Sequence, residues 1–103
     1  MLLATTDTIA GKNLHLLGLV KGSVVQSKHI GRDIMAGLKT IVGGELKGYT
    51  EMLSEARQIS TERMIKEARV LGADAIVGLR YSSASVMDGA AEIMAYGTAV
   101  KFA

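Results

Sequence analysis

Residues 68–80 read Ala-Arg-Val-Leu-Gly-Ala-Asp-Ala-Ile-Val-Gly-Leu-Arg, and this stretch restricts the fold more than any other. A long amphipathic pattern stops at Gly72, and a run with alternating apolar positions begins two residues later. Glycine has no Cβ, so it takes the left-handed turn just past a helix at little cost. The segment therefore predicts helix, tight turn and buried strand. Upstream, Tyr49, Leu53, Ala56, Met64 and Leu71 recur at helical spacing, and Met52 and Ile59 widen the stripe. Glu51, Glu55, Gln58, Glu62, Lys66 and Arg69 face water on the same helix. The main helix is placed at 46–71 and the strand after it at 74–85.

The remaining segments supply a sheet for that helix. Residues 91–102 form a final strand, joined to the previous one by a turn around Asp88-Gly89. Residues 14–26 are rich in Leu and Val. Simple alternation puts Leu14, Leu16, Val20 and Val24 on one face and Leu17, Leu19 and Val25 on the other. That pattern predicts a strand covered on both sides, with Gly18 and Gly22 marking bulges or close backbone approach. By the same alternation Ile76 opposes Val77 and Leu79. Residues 1–6 suit an edge strand. Residues 28–42 suit a short helix carrying Ile34, Met35, Leu38, Ile41 and Val42, which Gly43-Gly44 ends. The expected architecture is α+β in two layers: a mainly antiparallel sheet with one long helix packed on it, in one domain spanning 1–103.

Composition limits the classes of function. Nearly half of the 103 residues, 49%, are apolar, yet only 4% are aromatic. This is more aliphatic surface than a small monomer hides easily, so a homo-oligomer is expected. The net charge is only +2, with no cluster of Lys and Arg interleaved with aromatics, which argues against a nucleic-acid partner. No apolar run is long enough to span a bilayer, and the N-terminus has no secretory pattern. No membrane partner and a cytoplasmic location are the expectation. The chain has no cysteine, which excludes disulfides, thiolate metal sites and cysteine catalysis.

Several ordered motifs together resemble the YbjQ-like family. They are Arg32-Asp33-Ile34, Ile41-Val42-Gly43-Gly44, Tyr49, Glu55-Ala56-Arg57, Glu67-Ala68, residues 71–78 (Leu-Gly-Ala-Asp-Ala-Ile-Val-Gly) and Gly97-Thr98-Ala99-Val100. The resemblance covers nearly the whole chain. It implies a small α/β subunit assembled as a ring-shaped homopentamer, in a family that carries a heavy-metal-binding label and is largely uncharacterised. It brings no catalytic residues with it.

A soft metal prefers thiolate ligands, and none exists here. Two imidazoles remain. If residues 28–33 are helical, His29 and Asp33 lie four apart on one face and could begin a zinc or nickel site, with further ligands from a neighbouring subunit. A surface histidine ahead of a helix, with Asp33 near its positive end, is the more economical reading. At most a weak divalent-metal site is expected. His15 alternates with strand residues and reads as structural. Met52, Met64 and Met94 read as core filling rather than as copper ligands. Gly43-Gly44 precedes a helix N-terminus, a generic anion site, but no Walker or dinucleotide fingerprint accompanies it.

Glu67 falls within the apolar stripe, near Arg63 and with Arg57 on the flank. A carboxylate on a buried face needs a partner. Glu67 is therefore expected to be mostly buried, paired with a basic group or a backbone N–H, or else to line a ligand pocket with Arg63 and Arg57. On that expectation Glu67→Ala costs about 1–3 kcal/mol. No nucleophile, acid–base pair or metal cluster stands out, so an enzyme would need Arg32, Asp33, Glu55, Arg57 and Glu67 to converge across an interface. The leading expectation is a non-enzymatic, ring-forming protein that handles a metal ion or small ligand at subunit boundaries. The alternative is a structural or adaptor oligomer whose ring is the functional object.

Overall fold

The computed structural model describes residues 1–27, 41–42 and 45–103. Strands β1 (Leu2–Leu3), β2 (Leu14–Ser27), β5 (Ala75–Met87) and β6 (Ala90–Phe102) form a sheet in the order β1-β5-β6-β2. The long strands pair antiparallel, and β1 runs parallel to β5 at the edge. One helix, α1 (Lys47–Val70), lies across β2 and β6. The fold is α+β, with a mixed sheet and a single helix packed on it among the described residues. A short pair, β3 (Ile41–Val42) and β4 (Glu45–Leu46), precedes the helix.

The close of α1 follows from Gly72. Its φ is 77°, and its N–H donates to the Arg69 carbonyl at 3.0 Å. The Ala73 N–H donates back to the Ala68 carbonyl at 3.1 Å. These two bonds make a Schellman cap, satisfying carbonyls that the last turn would leave free. Asp74 then anchors the new strand. Its N–H donates to the Val100 carbonyl (2.9 Å), and its Oδ2 accepts from the Phe102 N–H (2.8 Å). Asp88-Gly89 joins β5 to β6, with Gly89 at φ 75°.

The buried row of α1 is Met52, Ala56, Ser60, Met64 and Ala68, each four residues from the last. Met64 and Ala68 meet Val20, Ile76, Leu79, Ala95 and Ala99 in the main core, while Ala56 meets Val24 and Ile93 in a second cluster. Small residues in the row let the helix sit close to the strand. A Cβ built on Gly22 would strike the Ser60 carbonyl oxygen and the Met64 backbone nitrogen, and would come within 2.7 Å of the Arg63 Cβ. The Arg63 guanidinium ties the two elements together by donating to the Ser23 carbonyl at 2.6 Å.

Two of the three register shifts in the sheet decide which side chains face the helix. In β2, Leu17 is the extra residue between the Leu16–Val100 and Gly18–Ala99 pairs, and Gly18 takes φ 140°. In β5 the register shifts between Val77 and Arg80, where Gly78 takes φ 59°. One extra residue reverses the alternation of everything beyond it. Leu14 therefore packs with Ala75, Val77, Val100, Ile9 and Phe102 on the far face, whereas Val20 and Val24 face the helix. Grouping Leu14 and Leu16 with Val20 and Val24 is thus corrected. Leu79 likewise joins Ile76 on the helix side instead of opposing it.

Other expectations are also revised. Ile41–Val42 is a strand rather than the end of a helix, while residues 28–40 and Gly43-Gly44 lie outside the described residues. Among the described residues the β2 strand is not covered on both sides. On its far face Leu16 is 72% exposed, Leu19 68% and Val25 58%.

Candidate groove between the helix and strand five

Because α1 lies over β2 and β6, no other described element covers the outer half of β5 on the helix side. The register places Tyr81 opposite Ala95 and Ser83 opposite Ile93, so both rise beside the helix. An open groove of about 390 Å³ runs between Tyr81 and the helix flank of Arg57, Gln58, Thr61 and Glu62. A smaller adjoining cavity of about 120 Å³ has Leu53 and Ile93 in its lining, with Ser82 and Ser83 beside them. Arg57 and Tyr81 border both.

A hydroxyl relay gives the groove a direction. Thr61 Oγ1 lies 2.7 Å from the Arg57 carbonyl and 2.7 Å from the Tyr81 hydroxyl. A threonine hydroxyl holds one proton, and the carbonyl can only accept it. With Thr61 donating to that carbonyl, Tyr81 donates to Thr61, and the tyrosine oxygen keeps its lone pairs to accept. The Arg57 Nη2 donates to Ser54 Oγ at 3.3 Å, and among the described residues no acid lies within ion-pair distance of its guanidinium. The groove therefore offers hydrogen-bond donors at Arg57 and acceptors at Tyr81 and Glu62.

The residues singled out from the sequence fare differently. Glu67 is exposed, which corrects the expectation of burial. The helix turns about 100° per residue, and the buried row passes through Ala68, so Glu67 is carried to the rim. Arg63 bonds to Ser23 and Arg57 to Ser54, and among the described residues neither is the partner of Glu67. With no buried charge to leave unpaired, Glu67→Ala is now expected to change unfolding free energy by less than about 0.5 kcal/mol. Thermal melts of the two proteins should overlay. His29 and Asp33, like Arg32, lie outside the described residues. His15 is exposed on β2. Met52 and Met64 are in the core and Met94 is half-buried on the far face.

Sequence reasoning brought Arg57 forward for a different partner and did not connect it to Thr61, Tyr81 or Ser83. The available signal was a tyrosine followed by serines on a strand, opposite a polar helix flank. The bulge at Gly78 decides which of those strand residues face the helix.

The chain belongs to the YbjQ family: the family model described as "Putative heavy-metal-binding" matches residues 1–103. A UPF0145 protein of Clostridium novyi is 56% identical over 98% of both chains. Another, from Thermotoga maritima, is 62% identical over 98% of this chain and 96% of its own. None of these names states a reaction. A crystal structure of a protein of unknown function from Pediococcus pentosaceus, assigned to the DUF74 family, shares the fold with a TM-score of 0.66. It is 17% identical and covers 100% of this chain and 98% of its own.

The donor set can be compared with the family description. The sequence has no thiolate, and among the described residues no group of three His, Asp or Glu converges. A tight heavy-metal site needs about three or four such ligands in a fixed geometry. The described part of the chain does not fit that requirement. Among the described residues no helix is long and apolar enough to cross a membrane.

Proposed function

We propose that this chain is a non-catalytic subunit of a closed homo-oligomeric ring, a pentamer by its family resemblance, which holds a small ligand or metal ion at subunit boundaries. One observation supports this above others: the sheet has two open edges and an aliphatic far face. Among the described residues, β2 has no strand outside it, and β5 has none beyond Leu79. Unpaired strand edges invite pairing with another chain. These two edges lie on opposite sides of one sheet, so a head-to-tail contact between copies is available, and such contacts make a ring when the rotation between copies closes. The exposed Leu16, Leu19 and Val25 border the β2 edge and would be covered in that contact.

Native mass spectrometry of the purified protein tests the reading, because it reports subunit number and any retained ligand together. The expected result is a species of five chains, and Leu19→Lys combined with Val25→Lys should shift it to single chains at micromolar concentration. A wild-type mass of one chain overturns the ring. For metal, the proposal keeps His29 and Asp33 as a weak zinc or nickel site completed by neighbouring subunits. Titration of chelator-stripped protein should give no submicromolar constant for cadmium, and any zinc binding should be lost in His29→Ala. An adaptor role remains the second reading, favoured if native spectra contain the ring and no ligand under any loading condition.

A further inference from the structure

We propose that the groove between α1 and β5 is a binding site for a small apolar α-amino acid in its zwitterionic form. Three features of different chemistry line it in order. Arg57 sits at the junction of the two cavities. Its guanidinium has five donors in a planar fork suited to a carboxylate, and its one hydrogen bond among the described residues is to Ser54. At one end stand the Glu62 carboxylate and the Tyr81 oxygen, whose proton is committed to Thr61. That end repels a second anion and accepts from an ammonium. At the other end, the cavity of about 120 Å³ has Leu53 and Ile93 in its lining and suits a short branched aliphatic group.

A ligand with a carboxylate, an ammonium and a small apolar side chain on one carbon satisfies all three together. A simple carboxylate leaves the Glu62 end unanswered, and a simple amine leaves Arg57 unanswered. Phosphate fits poorly because Glu62 and Tyr81 line the same groove. All the lining residues come from one chain, beside the β5 edge that the proposed ring would pair, and the ring is tested separately by mass.

The test is amide NMR of the isotopically labelled full chain, titrated with L-valine, isovalerate, isobutylamine and inorganic phosphate. Isovalerate is valine without its ammonium, and isobutylamine is valine without its carboxylate. Saturable shifts with valine are expected at residues around Arg57 and Tyr81, with a millimolar or tighter constant suited to so small a ligand. Both truncated analogues should bind about tenfold more weakly. Arg57→Gln should abolish the preference for valine over isobutylamine, and Glu62→Gln should abolish the preference for valine over isovalerate. Unchanged shifts elsewhere in the spectra will show that both variants remain folded. The proposal is overturned if valine produces no saturable shifts in the groove, if isovalerate or phosphate binds as tightly as valine, or if either substitution leaves the preferences intact.

Discussion

Gly22→Ala is expected to destabilise the protein by about 2–4 kcal/mol, the upper range for overpacking a tight core. The added methyl has no room, since it would meet the backbone of α1 at Ser60 and Met64 and the Arg63 Cβ at 2.7 Å. Backbone cannot rotate out of the way as a flexible side chain does, so the helix must lift from β2. Lifting it loosens the Arg63 bond to the Ser23 carbonyl and thins the contacts of Val20 and Val24 with the helix. Replacing glycine also restricts the unfolded chain, a gain of only about 0.4–1 kcal/mol. The net loss is a large part of the ~5–15 kcal/mol that holds a typical domain. Urea unfolding followed by circular dichroism measures it. A midpoint equal to that of the parent would mean that the helix does not approach the strand at this point.

Met64→Ala should cost about 2–5 kcal/mol. Met64 is fully buried, at the centre of the cluster formed by Val20, Ala68, Ile76, Leu79, Ala95 and Ala99. Three of those neighbours are alanines, anchored by backbone, so they cannot fill the space a lost thioether leaves. Ile76 and Val20 are held by strands and can move little. Met64→Leu, which keeps most of the volume, should cost less than about 1.5 kcal/mol. Val70→Ala is the contrast: Val70 is 83% exposed, and its loss should register below about 0.5 kcal/mol. A Met64→Ala melt indistinguishable from that of Val70→Ala would remove Met64 from the core.

The candidate groove was much less legible in the sequence than the fold. Its members come from the helix at 53–62 and from two strands, and nothing local links Arg57 to Tyr81. Their meeting depends on where the helix lies across the sheet. Placed over β2 and β6, it leaves Tyr81 and Ser83 beside its polar flank. The misplacement of Glu67 has the same origin. A stripe drawn through Tyr49, Leu53 and Leu71 takes in position 67, whereas contact with β2 and β6 selects Met52, Ala56, Ser60, Met64 and Ala68. A rotation of one residue's width around the helix moves a carboxylate from core to water.

Signals carried by one short segment could be read directly from the chain. Gly72 stops the helix because the turn after it needs a positive φ, and Asp88-Gly89 closes the hairpin for a similar local reason. The helix spans Lys47–Val70 and the three long strands run close to where the apolar pattern put them, because period and turn chemistry are properties of neighbouring residues. Which face each strand residue occupies is another matter. Alternation is strict only while pairing stays in register, and Gly18 and Gly78 each mark a place where it does not. A glycine in a strand announces a bulge or a close approach without saying which. At Gly18 and Gly78 it is a bulge that carries Leu17 and Leu79 to the helix side, and at Gly22 it is the room a helix needs. That choice depends on packing against residues on other elements, so it emerges only when helix and sheet meet.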